Sequence, residues 1–181
     1  KDTLLMAKSY GVLHKTFNDN SQYDQANLYI DRAIALMKKI DPQGRLLVAY
    51  YLRSAFTACY QYKFDKVKKI LELTKNLLKK FPDSKEMLDN YEVEGIYFME
   101  GTRESDKALA SLDKGQKLAK KMGNEYKVTT FLLQKYNVYL NNSQYDKGIP
   151  ILMEVSKNVD FMKYALNKQS IYREFNRTYE L

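Results

Sequence analysis

Side chains that commonly do chemistry are scarce in this chain. His14 is the only histidine. Alone, it can complete neither a Cys/His metal cluster nor a His-based catalytic triad. It lies among core-like positions and reads as a packed imidazole. Cys59 is the only cysteine, so no intrachain disulfide can form, and it reads as a small apolar filler. Asp89, Glu92 and Glu94 crowd one stretch. Asp89 and Glu92 are three apart, a spacing that shares one helix face. Such a carboxylate pair is able to do acid–base work, but the plainer reading is a solvated or groove-lining face. No phosphate-binding glycine loop, dinucleotide fingerprint, HExxH zinc motif or calcium loop is present. The expectation is a non-enzyme without metal or cofactor.

The elements that carry these residues follow from composition and periodicity. The 181 residues are 45% apolar and 29% charged, a globular balance that suffices for a sizeable core. Three prolines and seven glycines are few for a turn-rich all-β fold. No apolar run reaches the roughly 18 residues of a membrane span. The sequence begins Lys-Asp-Thr without an initiator Met, which fits a removed signal or an internal start.

The pentapeptide NSQYD occurs at Asn20–Asp24 and again at Asn142–Asp146. Between the copies, YKFDKV and RESDKA place further aspartates, so that Asp24, Asp65, Asp106 and Asp146 stand 41, 41 and 40 apart. Lysine pairs Lys38–Lys39, Lys79–Lys80 and Lys120–Lys121 keep the same interval. Two markers on one period signify a stacked repeat array. After each aspartate, apolar residues recur at helical spacing, as in Ala26, Tyr29, Ile30, Ala33, Ile34 and Met37. Second helices are therefore predicted at 24–40, 65–81, 106–122 and 146–159, and first helices at 3–19, 43–62, 83–100 and 125–142. Each aspartate is expected to cap its second helix, and the adjoining tyrosine to pack across the pair. Asp83, with Glu86 three residues on, is expected to cap the third first helix. The resulting units are 3–40, 43–81, 83–122 and 125–159 in a single array, plus a terminal helix at 161–181 from an incomplete fifth unit.

The turn QYDQA with Ala26 and Ala33, and DKALASL with Ala108 and Gly115, resemble the tetratricopeptide repeat (TPR) family. Tyr10, Leu13 and Phe17 match its first-helix positions in unit one, and Ala55 its small first-helix residue in unit two. The match covers nearly the whole chain, on a period about 41 long instead of the family's roughly 34. His14 and Tyr136 replace the small first-helix residue, Val67 and Gly148 replace the second-helix alanine, and Gly11 is the substitute in unit one. The resemblance implies an all-α, right-handed α–α superhelix of about nine helices. It also implies that first helices line a concave groove that binds a protein or peptide segment. Carried over position by position, the groove residues are Lys15, Asn18, Arg53, Phe56, Tyr60, Glu92, Asn137, Arg173 and Arg177. The lysine clamp of chaperone-binding members is not matched, because Gly11 stands where a clamp lysine would be.

The net charge of +8 bears on partners. The predicted second helices hold 16 of the 30 Lys and Arg but 8 of the 22 Asp and Glu, so the whole excess lies there. The family places those helices on the outer layer, which makes the charge a solubilising back; nucleic acid is not an expected partner. Membrane contact by this segment is not expected either. IYREFNRTYEL resembles a first helix without its following partner. The chain is therefore expected to continue, and self-association through this helix is foreseen.

Long-period, Tyr- and Lys-rich arrays resemble the N-terminal sensory regions of bacterial membrane-anchored histidine kinases and related transcription regulators. That resemblance implies the sensory or interaction part of a larger signalling protein, and a periplasmic location. The alternatives are a free-standing adaptor or assembly factor, or an intracellular receptor for signalling peptides, for which the location is cytoplasmic.

Overall fold

A computed structural model describes residues 2–163 and 165–179. Among them there is no strand. The helices run α1 (Thr3–Asp19), α2 (Tyr23–Ile40), α3 (Arg45–Tyr60), α4 (Phe64–Leu78), α5 (Lys85–Ile96), a π turn (Tyr97–Gly101), α6 (Ser105–Lys121), α7 (Glu125–Asn141), α8 (Tyr145–Ser156), the single turn α9 (Val159–Met162) and α10 (Ala165–Tyr179). The chain divides into two compact units, residues 1–93 and 94–181.

α3 and α4 bury different amounts of themselves. α3 buries ten of its sixteen residues, among them Val48, Tyr50, Leu52, Ala55 and Ala58. α4 buries only Val67, Ile70, Thr74 and Leu78, one stripe at helical spacing, and turns its lysines to solvent. A helix flanked on several sides needs apolar residues nearly all round, whereas a helix on one edge needs a stripe. In the first unit, consecutive first helices touch directly: Tyr50 Oη donates to the carbonyl of Ala7 at 3.1 Å. The second helices touch through Lys66, whose ammonium donates to Asn27 Oδ1 at 3.3 Å. In the second unit, Tyr136 Oη donates to Glu174 at 3.3 Å and links α7 to α10.

Small residues set the closest approaches. A Cβ on Gly115 would lie 2.3 Å from the Phe131 ring, so α6 and α7 pack only because α6 is bare there. Gly148 accommodates Tyr136 similarly, which explains why the large first-helix residue and the missing second-helix side chain occur in the same unit. Gly11 makes room for Tyr50 of the next pair, not for its own α2.

The NSQYD turns have a shared geometry that differs from the expected cap. Ser21, Tyr62, Arg103 and Ser143 each have φ between 55° and 58°, the left-handed region. The residue after each donates its N–H back along the first helix: Gln22 to Phe17 O at 2.8 Å, Lys63 to Ala58 O at 2.9 Å, Gln144 to Tyr139 O at 2.9 Å. These are Schellman closures with a non-glycine at the left-handed position. The second helix begins at the tyrosine (Phe64 and Ser105 in the middle units), so the aspartate is the second helical residue. It faces the positive end of the dipole, but Gln22, Lys63, Glu104 and Gln144 hold the cap position. Tyr23 stacks on Tyr60 of α3, with ring centroids 6.1 Å apart.

Other boundaries shift for local reasons. Ser84, not Asp83, caps α5, its Oγ accepting from Met87 N–H at 3.1 Å, while Glu86 pairs with Arg45 at 2.7 Å. The end of α5 winds into the π turn, and Glu104 N–H reaches Phe98 O, one residue further than in the other turns. α4 and α8 stop at Leu78 and Ser156, about three residues early, and the terminal stretch splits into α9 and α10.

Candidate functional site

The nine groove candidates fall into separate groups. In the first unit, Arg53, Phe56 and Tyr60 recur on α3 at intervals that make one stripe. Arg53 is exposed, and its guanidinium stands 5.5 Å over the Tyr50 ring. Phe56 is half-buried. Tyr60 is 60% exposed while one face rests on Tyr23. Its phenol titrates above the usual range, first through partial desolvation and then through the negative charge of Glu92. Glu92, expected on a solvated or groove-lining face, is only 9% exposed. Asn18, half-buried on α1, accepts from Thr57 Oγ1 at 2.9 Å, and Thr57 belongs to the same part of α3. Lys15 is exposed and tied to Asp19 at 2.5 Å.

Behind this stripe lies a polar cluster that spacing alone does not reveal. His14 is 4% exposed, and its Nε2 is 2.9 Å from Thr57 Oγ1. Thr57 has one proton. With that proton given to Asn18, His14 donates through Nε2–H, and its buried Nδ1 is left without a partner among the described residues. Burial, reinforced by the Arg53 charge, lowers the imidazole to a pKa of about 4. His14 is therefore a neutral structural link between α1 and α3 near pH 7.

In the second unit, Asn137 lines a cavity of about 300 Å³ between α7, α9 and α10, together with Tyr126, Gln134, Phe161, Asn167 and Ile171. Gln134 precedes Asn137 by three residues on one helix face, a signal that was available in the sequence. Phe161, Asn167 and Ile171 join them only through the reversal at α9. Arg173 is not in this group. It lies beside Lys168, Tyr172 and Asn176 along an open hollow of about 610 Å³ on α10. The side chain of Arg177 lies outside the described residues, as do those of Tyr179 and Leu181.

Among the described residues no group of three or more His, Cys, Asp or Glu is placed to hold a metal ion, and no helix is long and apolar enough to cross a membrane. No protein-family model and no curated protein sequence matches the chain. Solved structures do. Two crystal structures from Podosopora anserina, of a candidate kinesin light chain with nearly identical TPR-like repeats, align with a TM-score of 0.71. One of the two is a single-substitution variant. Identity is 14%, and the alignment covers 99% of this chain and 87–88% of theirs. The fold is a TPR-like α-solenoid.

Proposed function

We propose that this protein is a non-enzymatic scaffold that binds protein or peptide segments on its first helices. We further propose that it is a TPR variant with a period of about 41 residues. The α3 stripe carries the reading. It offers a cation, an aromatic face and a phenol, with Asn18 and Glu92 alongside, which suits the backbone and side chains of an extended segment. The long period draws support from the left-handed turn residues Ser21, Tyr62, Arg103 and Ser143, which stand 41, 41 and 40 apart. The resemblance to the sensory arrays of bacterial histidine kinases and transcription regulators suggests a setting in a larger signalling protein of that kind. The full gene tests that setting, because a membrane helix followed by a kinase or DNA-binding module is required. Self-association through α10 belongs to the same reading, supported by Tyr172, which is 53% exposed.

The binding claim is tested by panning a random-peptide display library on the whole chain. Selected peptides are then titrated calorimetrically against wild type, Arg53→Glu and Lys79→Glu. Arg53→Glu is expected to weaken binding at least tenfold, and Lys79→Glu less than twofold. Equal losses would reject the first-helix face as the binding surface.

A further inference from the structure

The cavity against α7 has a chemical character that differs from the α3 stripe. Among the described residues no charged side chain lines it. Gln134 and Asn137 are half-buried, and neither side chain finds a hydrogen-bond partner among the described residues. Each amide offers two donors and an acceptor. Thr130 has already given its proton to Tyr126 O at 3.0 Å, and Asn167 has given one to Phe161 O at 2.9 Å, so both present their oxygens as acceptors. The rest of the described wall is Tyr126, Leu133, Phe161 and Ile171, with Ser170 as a further hydroxyl. The Tyr126 and Phe161 rings are 6.0 Å apart, and Ile171 is buried behind them.

Resting on the scaffold reading above, we propose that this cavity is a subsite for an uncharged stretch of extended peptide. One backbone amide pairs with Gln134 and Asn137, and an aliphatic side chain enters between Tyr126, Phe161 and Ile171. Two observations select that occupant. Unpartnered amides match a peptide group, which carries one donor and one acceptor. With no lining charge among the described residues, an ionised ligand would give up hydration without gaining a counter-ion there. A volume of about 300 Å³ holds a single residue with its flanking peptide groups and does not hold a folded domain.

The probe is N-acetyl-leucine N-methylamide, a leucine with a peptide group on each side and no charge. It is titrated into the ¹⁵N-labelled whole chain, reading the side-chain amides of Gln134 and Asn137 by NMR. Two controls carry charge: N-acetyl-leucine, an anion, and leucine N-methylamide, a cation at neutral pH. Saturable shifts at both amides with a millimolar Kd are expected for the neutral probe. Each charged control should bind at least fivefold more weakly. Asn137→Leu should weaken the neutral probe at least fivefold while the melting temperature stays within about 3 °C of wild type. Asn137→Asp provides a second test, because one carboxylate in the cavity should reverse the order and favour the cationic probe. Equal or tighter binding of a charged probe to wild type would overturn the proposal. So would an absence of saturable shifts at the two amides, or an unchanged order in Asn137→Asp. If library-selected peptides still lose affinity in Arg53→Glu, the scaffold reading survives and only this subsite is rejected.

Discussion

His14 links stability to pH. Its folded pKa of about 4 lies below the unfolded value near 6.5, so the unfolded chain binds the extra proton. Stability from this group is complete above about pH 6.5 and is lost as pH falls towards 4, by up to about 3 kcal/mol. The physical reason is first that burial desolvates the imidazolium, then that the cation sits beside Arg53; its added Nδ1–H also finds no acceptor among the described residues. His14→Gln should flatten the slope of unfolding free energy between pH 6.5 and 4, measured by urea denaturation. A slope equal to wild type would show that other groups cause it. Gly115 makes a second test. Gly→Ala in a helix interior gains about 1 kcal/mol in propensity, but the added methyl would meet the Phe131 ring at 2.3 Å, and overpacking costs about 1–3 kcal/mol. Gly115→Ala should therefore lower the melting temperature by about 2–6 °C, whereas a rise would mean that the α6–α7 contact is looser than described. The burial of His14 and Cys59 was legible from their apolar surroundings. Thr57, the group that satisfies His14, was not, because it lies 43 residues away in the neighbouring helix pair. Burial of Glu92 was likewise illegible, since a charged residue at helical spacing reads as solvated until its neighbours are known.

Among elements, the turns show most clearly how sequence and geometry correspond. The markers Asp24, Asp65, Asp106 and Asp146 locate the joints correctly, yet their role is not capping. Each is preceded by a left-handed residue that closes the first helix, so the second helix starts one residue earlier than the aspartate suggests. Left-handed conformation costs a non-glycine residue about 1–2 kcal/mol, against about 0.5–1 kcal/mol of added chain entropy for glycine. Ser21→Gly with Ser143→Gly should raise the melting temperature by about 2–4 °C in thermal denaturation. A decrease would argue that the two seryl side chains stabilise the turns by contacts. At α5 the true cap is Ser84, so Ser84→Ala should cost about 1 kcal/mol and more than Asp83→Ala. Helix existence was readable because apolar spacing repeats over four units. The π turn at Tyr97–Gly101 was not, because a single extra residue leaves no mark in an apolar stripe. Nor was the break at α9, which no glycine or proline announces.

At the scale of the whole molecule, the charge and the candidate contacts fall on different helices. The lysine pairs Lys38–Lys39, Lys79–Lys80 and Lys120–Lys121 are exposed at the ends of second helices, where cations suit the dipole. The α3 stripe and the α7 cavity belong to first helices, each within its own compact unit. The resemblance in the turn residues led to the right fold class, which the TM-score of 0.71 to TPR-like repeats supports at only 14% identity. It did not indicate that Asn137 and Arg173 face different hollows, because that depends on how α10 reverses. The central claim is that first helices carry the partner and second helices do not. It is tested most directly by backbone-amide NMR of the whole chain saturated with a library-selected peptide. The account predicts shift perturbations concentrated on α1, α3 and α7. Perturbations concentrated on the lysine-bearing faces of α2, α4 and α6 would contradict it.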